Sequence, residues 1–339
     1  MTIADYLLSI NEPSFRLKQY NQAIYQQLIE NWDEFTAWPK LLREKVAIEF
    51  PLEKLVVINH QISKKKDTEK VLFSRVKNDR QLLETVLMRH QDGRNTVCVS
   101  SMVGCPVGCT FCATGTMGFI ANLTSDEIAE QVLFFARRLK KEQQKITNIV
   151  FMGMGEPLLN LKNVLESIDI FTDSDKMAMS PSRVTISTSG IVQPMKELFA
   201  KDFKGRIALS LHAPTQALRE SIMPIAKNNH LDKLMELVDQ YINKTNKRIS
   251  FEYILLKNIN DKQRHAEKLA QLVRGKLIHL NLIPYNPVPG FTLETSDRKQ
   301  IDRFSAILTK ARVPHTVRVS MGQDIDAACG QLATKKTSV

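Results

Sequence analysis

The chemistry of this chain concentrates in Cys105-Pro-Val-Gly-Cys109-Thr-Phe-Cys112, three thiols within eight residues. So short a span is poor geometry for structural disulfides and suits a metal site. Most electron-carrying 4Fe-4S clusters take four cysteines, so three leave one iron with an open position for a substrate. Zinc is the competing reading, but structural zinc usually shows two ligand pairs and no Cys or His pair follows downstream. The other two cysteines, Cys98 and Cys329, stand alone in sequence. Singly, each reads as a small buried apolar residue.

These thiols need a scaffold, and the pattern from about residue 95 supplies one. Short β-branched runs at 96–100, 148–152, 183–188, 207–211, 249–255, 278–284 and 315–319 alternate with helical periodicity at 125–141, 162–171, 231–241, 262–274 and 297–310. Thr124 followed by Glu127 is a capping-box start for the first helix. The alternation predicts an α/β fold with a parallel sheet, a partial or complete (β/α) barrel over 86–332, with a doubly wound open sheet as the alternative. Gly155, Glu156, Ser187, Ser210, His212 and Asn286 then fall at or just after carboxyl ends of strands, the face where barrel enzymes place their sites. Each also has a plainer role: Gly155 and Pro157 shape a turn, His212 sits inside, Asn286 caps a loop. Residues 1–85 carry helix-like periodicity over 20–32 and 41–50, broken by Pro39 and Pro51, and read as a small, mostly helical accessory domain with a basic exit. Residues 333–339 read as a frayed tail.

The balance of 47 Lys+Arg against 36 Asp+Glu, net +11, favours a polyanionic partner such as RNA, DNA or a ribosome. Lys64, Lys65, Lys66, Lys70, Arg75, Lys77 and Arg80 crowd one stretch, and Arg137, Arg138, Lys140 and Lys141 end a helix. Either run reads equally as a solvated face or as a phosphate contact. No apolar run of about 18 residues occurs, and the opening MTIADYLLSINEPSF carries acids where a signal peptide needs a basic flank. A cytoplasmic protein with no membrane partner is expected.

The C-x3-C-x2-C spacing, with Phe111 before its last cysteine, resembles that of the radical S-adenosylmethionine (SAM) superfamily. Beyond it, the chain resembles the RlmN/Cfr family of adenine methyltransferases over nearly its whole length. The matching stretches are Glu84-Thr-Val, Cys98-Val-Ser-Ser, Asn122-Leu-Thr, Gly153-Met-Gly-Glu156-Pro-Leu, Arg183-Val-Thr-Ile-Ser-Thr-Ser, Ser210-Leu-His212, Asn281-Leu-Ile-Pro-Tyr-Asn286-Pro and Asp324-Ile-Asp-Ala-Ala-Cys329-Gly-Gln-Leu. The resemblance implies that Cys105, Cys109 and Cys112 hold one 4Fe-4S cluster and that Gly155, Glu156, Ser187, Ser210, Leu211, His212 and Asn286 hold SAM, two molecules of which are used per turnover. It further implies that Cys329 accepts a methyl group, that Glu84 takes the proton from the adenine carbon, and that Cys98 releases the product through a transient disulfide with Cys329.

The implied substrate is an adenosine of 23S rRNA at the peptidyl-transferase centre, with an adenosine of the tRNA anticodon loop as a second target. An electron donor such as flavodoxin and a monomeric enzyme complete the expectation. Asn11-Glu-Pro-Ser-Phe-Arg16 looks like the carbon-8 (Cfr) branch, whose methylation of the same base hinders ribosome-targeted drugs, whereas Arg183-Val-Thr-Ile-Ser-Thr-Ser-Gly190 leans to the carbon-2 (RlmN) branch, which is favoured. Two readings from other classes stand beside it. A radical SAM enzyme with a non-RNA substrate leaves the Cys98 and Cys329 pair unexplained; an RNA-binding zinc protein leaves the open iron site unused.

Overall fold

The computed structural model describes residues 2–333. Helices α1 (Ile3–Ser9), α2 (Phe15–Asn21) and α3 (Lys40–Glu49) open the chain. They close on Leu7, Ile24, Phe35, Trp38, Leu42 and Val46, and this small core rests on Leu133 of the first barrel helix. Strands β1 (Leu55–Ile62), β2 (Thr68–Arg75), β3 (Asn78–Arg89) and β4 (Asn95–Cys98) follow, then a hairpin of β5 (Met102–Cys105) and β6 (Gly118–Asn122). Six helical crossovers complete the chain. In order they are α4 (Ser125–Lys141) to β7 (Asn148–Phe151), α5 (Leu161–Thr172) to β8 (Val184–Thr188), and α6 (Val192–Ala200) to β9 (Arg206–Ser210). Next come α7 (Gln216–Ile222) with α8 (Leu231–Thr245) to β10 (Ile249–Leu255), α9 (Gln263–Val273) to β11 (Ile278–Pro284), and α10 (Arg298–Lys310) to β12 (His315–Val317).

The sheet runs β1-β2-β3-β4-β7-β8-β9-β10-β11-β12. Pairing is antiparallel from β1 to β4 and parallel from β4 onward. Parallel strands in chain order with helices between them make a (β/α) barrel; β1 and β12 remain edges, so the barrel is partial. Its strands are buried on both faces, which is why Val97, Ile149, Ile186, Ile207, Phe251 and Leu280 are apolar and largely β-branched or aromatic. The capping box forms as expected: Thr124 Oγ accepts from Glu127 N–H at 3.2 Å and the Glu127 carboxylate accepts from Thr124 N–H at 2.8 Å. Among the described residues no helix is long and apolar enough to cross a membrane.

The helical character of the N-terminal region holds through Glu49; residues 55–85, read as part of that module, are strands instead. Their pattern is hidden by charges that point inward. Glu69 lies on β2, 1% exposed, and accepts from His60 at 2.6 Å, Arg89 at 2.5 Å and Arg138 at 2.6 Å. Burial alone would push its carboxyl up, but these donors outweigh it and hold the pKa down at about 2. The basic end of α4 is likewise consumed within the fold: Arg137 pairs with Glu130, Lys141 with Glu30, and Lys140 donates to Gln27 O. Of the β1–β3 basic residues, Lys70 is buried and Arg75 is paired with Glu127, while Lys64, Lys65, Lys66, Lys77 and Arg80 stay exposed.

Glu69→Gln is expected to lower stability at pH 7 by about 3 kcal/mol, because Arg89 and Arg138 lose a buried carboxylate and His60 a hydrogen-bond partner. A carboxyl whose folded pKa is depressed contributes stability above its ordinary value of 4.5 and loses it as pH falls toward about 2. Urea unfolding should therefore show the gap between wild type and variant closing over that window.

Candidate active site

Cys105 ends β5, and Cys109 and Cys112 lie in the connection to β6, so the thiols ride on a hairpin rather than on a plain loop. Two glycines allow the loop its tight path. Gly104 has φ +72°, and a Cβ there would meet Gly118 O at 2.0 Å; at Gly115 it would meet Cys109 O at 2.9 Å. The loop is tied below by Thr110 N–H to Ile222 O at 3.0 Å and sideways by Ala113 N–H to Gly330 O at 2.8 Å. Burial pushes the Cys105 thiol up to about 12 and raises Cys109 and Cys112 as well. Thiols so placed stay protonated until a metal displaces the proton. Among the described residues no three His, Cys, Asp or Glu side chains converge on a single ion. A cubane does not require that convergence, since each thiolate binds a separate iron; three thiols on one constrained loop fit it.

Around this loop the strand ends bring together most of the polar residues singled out in sequence. Gly155, φ +97°, passes so close to Met102 that a Cβ would lie 2.6 Å from Met102 Cβ. Beside it Glu156 is 4% exposed; one carboxylate oxygen accepts from Ser189 N–H at 2.7 Å and the other from Leu158 N–H at 3.1 Å. Burial raises its carboxyl. Ser187 lies one residue before the end of β8 and Ser210 ends β9. His212 has φ +56°, and its Nδ1 accepts from Ile254 N–H at 3.1 Å. Burial first, then the charge of Arg219, drive its pKa down to about 3, so the ring is neutral with Nε2 carrying the hydrogen. Phe111 meets that ring edge-on, centroids 5.0 Å apart. Leu211 is fully buried and contributes only apolar wall. Asn286 is turned away from the strand ends: its amide donates to Cys329 O at 3.1 Å and accepts from Gln323 at 2.7 Å.

Cys98 closes β4 and is buried, which pushes its thiol well up; the next influence on it is the charge of Cys329. Cys329 has exposed surface, yet burial is also the main cause that raises its thiol, followed by Glu252. Both hold if it lies in a recess that admits water while protein surrounds it, and the neighbours that act on its charge support that placement. Both thiols are free.

Glu84 lies inside the fold. It is 2% exposed on β3, pairs with Lys70 at 3.0 Å and accepts from Ala333 N–H at 2.8 Å. Lys70 also donates to Asp326 O at 3.2 Å. Ala333, read as the start of a frayed tail, is thus fixed; residues 334–339 lie outside the described residues.

Lys70 and Arg219 were not singled out in sequence. Lys70 is lost among neighbouring lysines, and Arg219 sits beside Glu220 in an ordinary amphipathic helix. Recesses lined by Lys257, Asp261 and Arg303, and by His60, Glu130 and Arg137, hold none of the residues above.

Residues 99–270 match the family model described as the Radical SAM superfamily. The chain is 43% identical over 330 residues, 97% of this chain and 93% of its relative, to the probable dual-specificity RNA methyltransferase RlmN of Dictyoglomus thermophilum. It is 41% identical over 330 residues, 97% and 95%, to the protein of that name from Clostridium botulinum. The crystal structure of a radical SAM methyltransferase from Sphaerobacter thermophilus superposes with a TM-score of 0.95 at 40% identity, covering 98% of this chain and 97% of that one.

The Glu84 and Lys70 contacts predict that the C-terminal segment loosens when either is removed. Hydrogen exchange of the peptide containing Ala333 should speed up about tenfold in Glu84→Ala, the worth of one charge-assisted hydrogen bond of about 1.5 kcal/mol. Unchanged exchange would mean the segment is held elsewhere.

Proposed function

Since the chain belongs to the RlmN family of radical SAM RNA methyltransferases, we propose that it methylates carbon 2 of an adenosine in 23S rRNA at the peptidyl-transferase centre, through a methyl group carried on Cys329. An adenosine of the tRNA anticodon loop is its second target. The observation that carries this reading is the placement of Cys329 across the barrel mouth, between the cluster loop and Cys98, with Glu84 holding the same segment.

Membership in the superfamily implies SAM and a 4Fe-4S cluster. Cys105, Cys109 and Cys112 would hold the cluster, and when bound it supplies the electron that turns SAM into a 5′-deoxyadenosyl radical. Glu156 is suited to the SAM amino group, because its buried carboxylate has backbone and hydroxyl partners but no ion pair among the described residues. The neutral His212, the Ser187 and Ser210 hydroxyls and the Gly155 backbone line the remaining contacts, with Leu211 as apolar wall. Asn286 keeps a second amide hydrogen for SAM while the first holds Cys329 O, so it would couple the SAM site to the cysteine-bearing segment.

An adenine ring carbon is too electron-poor to attack a sulfonium methyl group directly. Cys329 therefore takes a methyl group from one SAM, loses one of its hydrogen atoms to the radical made from a second SAM, and bonds to the ring carbon through the methylene. After the adduct passes one electron back to the oxidised cluster, Glu84, which pairs with Lys70 at 3.0 Å, would accept the proton from that carbon. Cys98 then attacks the Cys329 sulfur, the C–S bond breaks toward the base, which takes up a proton, and a Cys98–Cys329 disulfide is left. Two electrons from a cellular thiol reset it. A flavodoxin-type donor, a monomeric enzyme and a cytoplasmic setting fit this cycle. The exposed Lys64, Lys65, Lys66, Lys77 and Arg80 would meet RNA phosphates.

Mass spectrometry of in vitro transcribed rRNA, after anaerobic incubation with cluster-loaded protein, SAM and reductant, tests the reading. Wild type should yield 2-methyladenosine; Cys329→Ala should yield none, and Cys98→Ala should leave RNA covalently joined to protein. Methylation that survives Cys329→Ala would overturn the mechanism, and 8-methyladenosine would overturn the assigned carbon.

A further inference from the structure

Arg219 on α7 is the one fully buried guanidinium among the described residues, at 0% exposure. Its donors go to backbone carbonyls: Ser189 O, Ser210 O at 3.4 Å and Asn229 O at 3.5 Å. Its Nε–H has no partner, and no carboxylate pairs with it among the described residues. A buried charge left without an opposite charge is costly, commonly several kcal/mol, so a chain that keeps one has a counterion that these contacts do not include. The acidic groups that act on Arg219 are the Cys109 thiol first and the Glu156 carboxyl second. Glu156 is linked to it through residue Ser189, from whose N–H the carboxylate accepts while Arg219 donates to the Ser189 C=O. The cluster loop, by contrast, sits directly on this helix, through Thr110 N–H to Ile222 O at 3.0 Å.

We propose that Arg219 is an electrostatic positioning residue whose counterion is the iron-sulfur cluster at its Cys109 corner. The inference rests on the reading of Cys105, Cys109 and Cys112 as cluster ligands. Three thiolates make such a cluster anionic, and the electron it stores adds another negative charge in a water-poor site. A fixed guanidinium below Cys109 favours the reduced form, and with it electron loading before SAM cleavage. The same side chain joins the ends of β8 and β9 through Ser189 and Ser210, so it sets the spacing of the strand ends that flank Glu156 and His212.

The test compares cluster-loaded full-length wild type with Arg219→Gln, which keeps donors but no charge, and with Arg219→Lys, which keeps the charge. Each is titrated anaerobically and the reduced cluster is counted by electron paramagnetic resonance. At a fixed poise the reduced-to-oxidised ratio should fall about tenfold in Arg219→Gln, equivalent to about 59 mV for one electron, and stay near wild type in Arg219→Lys. Cluster loading should also raise the melting temperature less in Arg219→Gln than in wild type. An unchanged ratio at full iron content, or equal stabilisation by loading in both proteins, would assign Arg219 a purely structural tie. Wild type that binds no iron would overturn the cluster site itself, and this inference with it.

Discussion

Cys329 reaches the barrel mouth because the segment after β12 is pinned there from both sides. From the β1–β3 extension, Lys70 holds Asp326 O, Glu84 holds Ala333 N–H, and Lys64 N–H bonds the Asp324 carboxylate at 2.8 Å. From the barrel, Asn286 holds Cys329 O, Ala113 N–H holds Gly330 O, and Thr114 donates to Leu332 O at 2.6 Å. Gly322, φ +67°, lies against Thr68, where a Cβ would come within 2.6 Å of its methyl group. Every group proposed to touch the reacting sulfur depends on this clasp.

Burial sets the chemistry of the groups so gathered. It keeps the cluster thiols protonated until metal arrives, keeps His212 neutral and raises the Glu156 and Glu252 carboxyls. Glu69 shows the opposite outcome with the same residue type, because His60, Arg89 and Arg138 donate to its buried carboxylate and outweigh the burial. The molecule thus separates two kinds of buried charge. Glu69 and Glu127 in the outer layers are ion-paired within the fold, whereas Glu156 and Arg219 at the strand ends meet backbone groups and, for Glu156, the Ser189 and Thr188 side chains, with no ion pair among the described residues. Such incomplete satisfaction is what a binding site for a charged ligand requires before the ligand is present.

Legibility in the sequence followed the depth of the pattern. The strands at 249–255 and 278–284 and the helix at 125–141 could be placed to the residue, because buried parallel strands are continuous apolar runs and the helix carries its own capping box. Residues 55–85 hide their strands because Glu69, Lys70, Arg75 and Glu84 point inward, and a buried ion pair looks like surface in a sequence. The hairpin that carries Cys105, Cys109 and Cys112 does not show in the spacing, which displays only the three thiols. Lys70 and Arg219 do not stand out either, since their significance lies in which carbonyls and carboxylates they meet across 256 and 30 residues of chain, respectively.

The partial barrel explains why the clasp takes the form it does. A closed barrel would join its edge strands by a continuous ladder. Here the sheet ends at β12 on one side and continues into β3 and β2 on the other, and residues 322–333 span the difference with bonds to the Lys70 and Glu84 side chains and packing of Gly322 against Thr68 instead of a strand. Individual hydrogen bonds of this kind contribute about 1–3 kcal/mol each, far less than a ladder of many residues. A substrate as large as a folded RNA can be admitted at such an edge by exchanging a few contacts, leaving the parallel core that holds the cluster loop and strand ends untouched. In the proposed reaction RNA would meet the edge that carries Cys329, so opening the site and positioning that cysteine would be one structural event.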